Sequence, residues 1–156
     1  MKIIRIGKST LKGSQLAYGC WRIAGTWDGR KVKANGREAG VKAILAAHEA
    51  GYTLFDHADI YCDGVSEELF GLALKQSKAL KKSAVIATKC GIRIPESNEP
   101  YRYDSSGDYI VQSCERSLQR LGTDCIDIYQ LHRPDWLIDA NEVARTFAKF
   151  KQAGQV

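Results

Sequence analysis

The sequence predicts an α/β fold, a parallel sheet covered by helices. Three observations carry that expectation. Short apolar runs with β-prone residues alternate with longer stretches of helical periodicity. The runs are apolar throughout, as strands buried on both faces require. Glycine follows two of the helical stretches, at Gly51 and Gly122, where a chain leaves a helix most easily.

Taken in order, residues 2–20 read as short extended pieces broken by Gly7 and Gly13, a small hairpin leading into a strand at 15–19. A polar, glycine-bearing loop follows to residue 36. Over 37–50, Val41, Ile44, Leu45 and His48 recur at helical spacing, and Gly51 supplies the stop. Residues 52–55, "YTLF", form a short strand. Ser66 is the expected N-cap of the next helix, with Glu67 and Glu68 in the first turn where the helix dipole favours acids. Leu69, Phe70, Ala73 and Leu74 are its buried stripe. "AVIATK", 84–89, is an apolar strand that ends in a charge. After a loop containing Pro95 and Pro100, Ser105 and Asp108 resemble a capping box. The helix they open sets Ile110, Val111, Cys114, Leu118 and Leu121 on one face, and Gly122 closes it. "CIDIYQLH", 125–132, is the next strand and 141–153 the next helix. No repeat, low-complexity tract or linker interrupts the chain, so residues 1–156 are expected to form one domain. Periodicity leaves open whether the sheet is doubly wound or curved like a barrel.

Bulk properties narrow the function classes. With 44% hydrophobic and 26% charged residues the chain suits a globular protein with a real core. No apolar run approaches the roughly 20 residues of a membrane helix, and "MKIIRIGKST" lacks the apolar core of a signal peptide. A cytoplasmic protein with no membrane partner is expected. The net charge of +5 is spread out, its densest cluster being "GRKVK" at 29–33. That is a solvated basic surface rather than a nucleic-acid footprint. Cys20, Cys62, Cys90, Cys114 and Cys125 make an odd count without a C-x-x-C pair. Buried, reduced thiols are expected, not a zinc module or a disulfide framework.

The chemistry gathers at the strand ends. Successive strands finish at Asp56, Lys89 and His132, and Tyr61 lies five residues past the first. In parallel α/β folds the C-terminal strand ends share one edge, where ligands bind. Taken singly, Lys89 reads first as a solvated strand end and His132 as a structural histidine, while Asp56 also reads as a turn cap and Tyr61 as loop packing. Together, an acid, a cation, a phenol and an imidazole form a proton-transfer set. A phenol is a poor acid near neutrality, and a neighbouring ammonium favours its ionised form. No strand is followed by G-x-G-x-x-G or a P-loop.

Several stretches resemble the aldo-keto reductase family. "FDHADIY" looks like that family's strand-end acid followed by its tyrosine, and "ATKCG" like its lysine strand. "SLQRLGTDCIDIYQLHRPD" resembles the signature leading to its histidine, and "LKGSQLAYGCWRIAG" its first barrel strand and loop. The resemblance implies a (β/α)₈ barrel and NADPH-dependent reduction of an aldehyde or ketone, a small-molecule carbonyl substrate. Tyr61 would protonate the carbonyl oxygen, Lys89 would assist the phenol, Asp56 would hold Lys89, and His132 would orient the carbonyl. Trp21, Arg22 and Asp56 would contact NADPH or NADP⁺. His57 and Asp59 receive no catalytic role.

Length departs from that pattern. Such a barrel needs about 250 residues, so the chain is expected to hold the first half, with a short N-terminal hairpin, and to be truncated. Two other readings compete. One is a metal-dependent hydrolase using His57, Asp59 and His132 as ligands, which leaves Lys89 and Tyr61 idle. The other is a non-catalytic half-barrel, an oligomer or redox-sensing remnant that self-associates through open sheet edges.

Overall fold

The computed structural model describes residues 1–95 and 100–156. At the N-terminus β1 (Ile3–Arg5) pairs antiparallel with β2 (Lys12–Ser14) in the expected hairpin. The first strand of the main sheet is β3 (Ala17–Gly19). The following loop includes one 3₁₀ turn, Gly29–Lys31, capped by Asp28. Helix α1 (Ala34–Glu49) starts three residues earlier than apolar spacing indicates. Its first residues, Ala34 and Asn35, are exposed and leave no periodic signal. The buried face is Gly40, Val41, Ile44 and Ala47, while His48 sits at its margin and meets Ser83 Oγ at 2.8 Å.

Strand β4 (Leu54–Asp56) begins two residues late. Thr53 is occupied with the hairpin: its Oγ1 accepts from Ser14 N–H, and Ser14 Oγ accepts from the N–H groups of Thr53 and Leu54. Helix α2 (Val65–Gln76) is entered through Gly64 in left-handed geometry, so Ser66 is not its cap. Ser66 lies fully buried inside the first turn. A short helix absent from the sequence reading, α3 (Lys78–Ser83), is capped by Ser77, which accepts from Leu80 N–H. Strand β5 (Val85–Cys90) follows, then a second small hairpin of β6 (Ile92–Arg93) and β7 (Arg102–Tyr103). The middle of the expected Pro95–Pro100 loop lies outside the described residues. Helix α4 (Gly107–Leu121) is capped by Ser106, one residue beyond the expected Ser105, with Asp108 in its first turn. Gly122 closes it in left-handed geometry as expected. Strand β8 (Ile128–Leu131) is shorter than expected, because Ile126 N–H is taken by the carbonyl of Gln155. Helix α5 (Ala140–Ala153) is capped by Asp139.

The main sheet runs β3-β4-β5-β8, all parallel. Spatial order equals chain order with no reversal, which is the wall of a barrel rather than a doubly wound sheet. Helices α1, α2, α4 and α5 pack in sequence against one another. Alternation divides the strands. Phe55, Ile86, Cys90 and Tyr129 join Ile44, Leu69, Phe70 and Ile110 in the core. Asp56, Lys89 and Gln130 face the other way. The hairpin seals the N-terminal ends, where a Cβ on Gly13 would sit 3.4 Å from Leu54 Cβ. All five cysteines are free, and four are buried; Cys125 is exposed, contrary to expectation.

The tightest helix contact is at Gly71 on α2. A Cβ there would meet the carbonyl oxygens of Arg120 and Leu121 on α4 at 2.5 and 2.8 Å. Alanine improves helix propensity by about 1 kcal/mol, but backbone atoms cannot swing aside as a side-chain tip can. Gly71→Ala is therefore expected to lower stability by about 1–3 kcal/mol in urea unfolding. Gly19→Ala, with nothing within 4 Å, should be near neutral in the same assay.

Candidate active site

Because the strands are parallel, Asp56, Lys89 and His132 arrive at one edge. Lys89 is at the centre. Its Nζ lies 2.9 Å from the carboxylate oxygens of Asp56 and donates to the Tyr61 hydroxyl at 3.3 Å. It also donates to the main-chain carbonyl of His57. Only 15% of the Lys89 side chain is exposed, so the ammonium depends on these oxygens for the solvation it has lost.

Tyr61 is held from both sides. Before it, the chain extends the sheet beyond β4, with His57 N–H donating to Ala87 O and Asp59 N–H to Lys89 O. After it, Cys62, Asp63 and Gly64 all take positive φ, at 53, 54 and 86°. Two of the three are not glycine, a conformation L residues adopt only under constraint. Part of that constraint is a hydrogen bond from Gly29 N–H to Asp63 Oδ2 at 2.8 Å.

His132 donates its main-chain N–H to Cys90 O and presents its ring edge-on to Tyr61, centroids 5.8 Å apart. Burial, then the positive charges of Lys89 and Arg133, hold this imidazole below the ordinary histidine value, so it is neutral at pH 7. Trp21 stands 6.4 Å from the Tyr61 ring and edge-on to Trp27. A cavity of about 570 Å³ opens here, lined among others by Trp21, Trp27, Tyr61, Tyr101 and His132. It falls in the size range of small-ligand sites.

The structure thus brings together Asp56, Tyr61, Lys89 and His132, with Trp21 beside them. Arg22 does not line the cavity itself, but its guanidinium lies 4.7 Å over the ring of Trp27, which does. His57 is fully buried against Phe70 on the helix side, where burial pushes its imidazole down to about 3. The ligand set of the competing hydrolase reading, His57, Asp59 and His132, does not gather. Among the described residues no three His, Cys, Asp or Glu side chains gather closely enough to hold a metal ion.

Three residues behind the site escaped the sequence reading. Glu67, expected in a first helical turn where the dipole favours acids, is in addition fully buried. It accepts from Thr88 Oγ1 at 2.6 Å and from Arg120 at 2.7 Å. A signal was present: Glu67, Phe70, Gly71 and Leu74 stand at i, i+3, i+4 and i+7, which puts the carboxylate on the buried stripe.

Comparisons with known proteins identify the family and the fold. Residues 15–156 match the Aldo/keto reductase family. The chain is 36% identical over 151 residues to the uncharacterized oxidoreductase YcsN of Bacillus subtilis, covering 94% of this chain and 48% of that protein. It is 36% identical over 150 residues to a 6-dehydroglucose reductase of Agrobacterium fabrum, again covering 94% and 48%. Among solved structures, glycerol dehydrogenase AKR11B4 from Gluconobacter oxydans superposes with a TM-score of 0.84 at 35% identity, over 98% of this chain and 46% of that one. The holo form of aldo-keto reductase AKR11C1 from Bacillus halodurans gives 0.82 at 32% identity, over 99% and 47%. The chain spans about half the length of these relatives, and its fold corresponds to about the first half of their (β/α)₈ barrel.

Asp59 yields a pH prediction. Burial, then the charge of Glu67, pushes its carboxyl up to about 7. A raised folded value means the native state holds the proton. This contribution to stability is complete below the unfolded value of 3.8 and is lost as pH rises through about 7. Between pH 5 and 8 the parent chain is expected to lose on the order of 2–3 kcal/mol relative to Asp59→Asn. Urea midpoints of both chains at the two pH values check it. The histidine contributions are common to both and cancel.

Proposed function

The chain belongs to the aldo/keto reductase family, and on that premise we propose that it carries the proton-transfer site of an NADPH-dependent reductase of aldehydes and ketones. The supporting observation is the single ammonium of Lys89, shared between the Asp56 carboxylate and the Tyr61 hydroxyl. Reduction of a carbonyl adds a hydride to carbon and a proton to oxygen, giving the alcohol. NADPH, when bound, supplies the hydride.

The chain's own residues account for the proton. Tyr61 donates from its hydroxyl to the carbonyl oxygen, leaving a phenolate beside Lys89. The ammonium stabilises that developing charge where water is scarce, and Asp56 keeps it in place. His132, neutral at pH 7, offers a ring N–H to the same oxygen and fixes the carbonyl's direction. This donor set fits the carbonyl end of a hydride transfer. Trp21 and Asp56 are the residues that would flank the nicotinamide. Arg22 is held beside them by its contact with Trp27.

The cavity suits a small, hydroxylated carbonyl compound. Trp21, Trp27 and Tyr101 supply aromatic faces, and Asp28, Arg30 and Arg133 supply polar groups at the same opening. The names of two relatives, a 6-dehydroglucose reductase and a glycerol dehydrogenase, favour the same substrate class.

The central test is Tyr61→Phe in a protein that carries this chain together with the rest of the barrel, followed as loss of NADPH absorbance with a polyhydroxylated aldehyde. Turnover should fall by about 10²–10⁴-fold while NADPH affinity, read by fluorescence titration, stays near that of the parent. A variant keeping most of its turnover would move the acid role to another group. A second expectation concerns partners. Among the described residues β3 and β8 each have one neighbour in the parallel sheet, leaving two unpaired edges. Light scattering of the 156-residue chain should give a mass well above 17.3 kDa, and a monodisperse monomer would count against self-association.

A further inference from the structure

The Glu67 carboxylate joins three elements that the proposed reaction needs in register. It lies in the first turn of α2, the helix entered from the Tyr61 loop, and Ser66 N–H on that turn donates to Tyr61 O. One carboxylate oxygen accepts from Thr88 Oγ1, the residue beside Lys89 in β5. The other accepts from Arg120 Nε on α4, and Arg120 Nη2 approaches the same oxygen at 2.7 Å. The Arg120 side chain then runs over Gly64, so closely that a Cβ there would meet Arg120 Cδ at 2.8 Å.

Neighbouring residues of a strand point to opposite faces. Thr88 therefore faces the helices while Lys89 faces the pocket, and fixing one fixes the height of the other along β5. Holding Glu67 likewise fixes where the loop bearing Tyr61 ends. A buried ion pair of this kind is a weak source of stability, since apolar residues often serve as well. Its distinctive contribution is direction: two short hydrogen bonds set the position of α2 relative to β5 more narrowly than packing does. The left-handed run at Cys62, Asp63 and Gly64 needs such an anchor on its helical side, complementing the Gly29–Asp63 hydrogen bond on the other.

We propose that Glu67, with Thr88 and Arg120, is a positioning clamp that sets the separation of Tyr61 from Lys89. The inference rests on the reading of Tyr61 as proton donor, but its structural content can be tested without turnover. The readout is the nuclear Overhauser effect between the Tyr61 ring protons and the Lys89 ε-methylene, in chain labelled at tyrosine and lysine. Thr88→Val keeps the shape of the side chain and removes the donor to Glu67. It is expected to weaken the effect several-fold, and Thr88→Ser, which keeps the hydroxyl, to restore it. Glu67→Gln should weaken it too. If Glu67→Gln does not fold, the Thr88 pair decides alone. Leu80→Ala, a destabilising change in α3 away from the site, should leave the effect at its parent intensity.

Parent intensity in Thr88→Val would overturn the clamp, as would an equal loss in Leu80→Ala. Where turnover is measured, Thr88→Val should lower kcat with KM unchanged. An inactive parent chain that nevertheless shows the full pattern of effects would remove the proposed reaction and leave the clamp standing.

Discussion

The burial of one positive charge organises this molecule. Lys89 stands on the most buried strand of the sheet, and an ammonium in that position is stable only if oxygens surround it. The chain provides them from three directions. Asp56 comes from the neighbouring strand, the His57 carbonyl from the turn beyond it, and the Tyr61 hydroxyl from the same loop. The loop is thereby drawn onto the strand ends, and the phenol is brought to the cavity. The arrangement that relieves the lysine's desolvation is the one that gives Tyr61 a charged neighbour.

A second charge pair lies on the opposite face of the same strand. Glu67 is fully buried and satisfied by Thr88 and Arg120. Strand β5 thus runs between two electrostatic anchors, one facing the pocket and one facing the helices. Asp59 lies near the second anchor, with one carboxylate oxygen, Oδ1, unpartnered among the described residues. Its proton is retained first because the carboxyl is buried and then because the charge of Glu67 is close.

Much of the fold was legible before any coordinates. The apolar runs at 84–89 and 125–132, the stripe from Leu69 to Leu74 and the glycine stops all describe local periodicity, and each corresponds to an observed element. The misreadings share a cause. Ser66 and Ser105 have the right chemistry for caps, yet the chain enters α2 through left-handed Gly64 and enters α4 one residue later, at Ser106. Capping depends on backbone path as well as on residue type. Helix α3 and the β6–β7 hairpin are too short to impose a period on the sequence. Glu67 was read from its charge rather than from its place on the stripe.

The sequence by itself determined the order of the main-sheet strands and of the longer helices, the parallel sense of the sheet and the candidate side chains at its charged edge. Those follow from hydrophobic period and from residues at strand ends, which are local properties. Tertiary structure decided which of those side chains meet. His57 and Asp59 lie within five residues of Tyr61 in sequence, yet His57 turns into the core against Phe70 and Asp59 toward Glu67. His132, 71 positions beyond Tyr61, stands edge-on to it. The reason is geometric. Alternation keeps His57 on the helix side with Phe55, and the turn that begins at Asp59 carries Tyr61 out of that alternation, whereas residues at the ends of parallel strands share an edge whatever their separation along the chain.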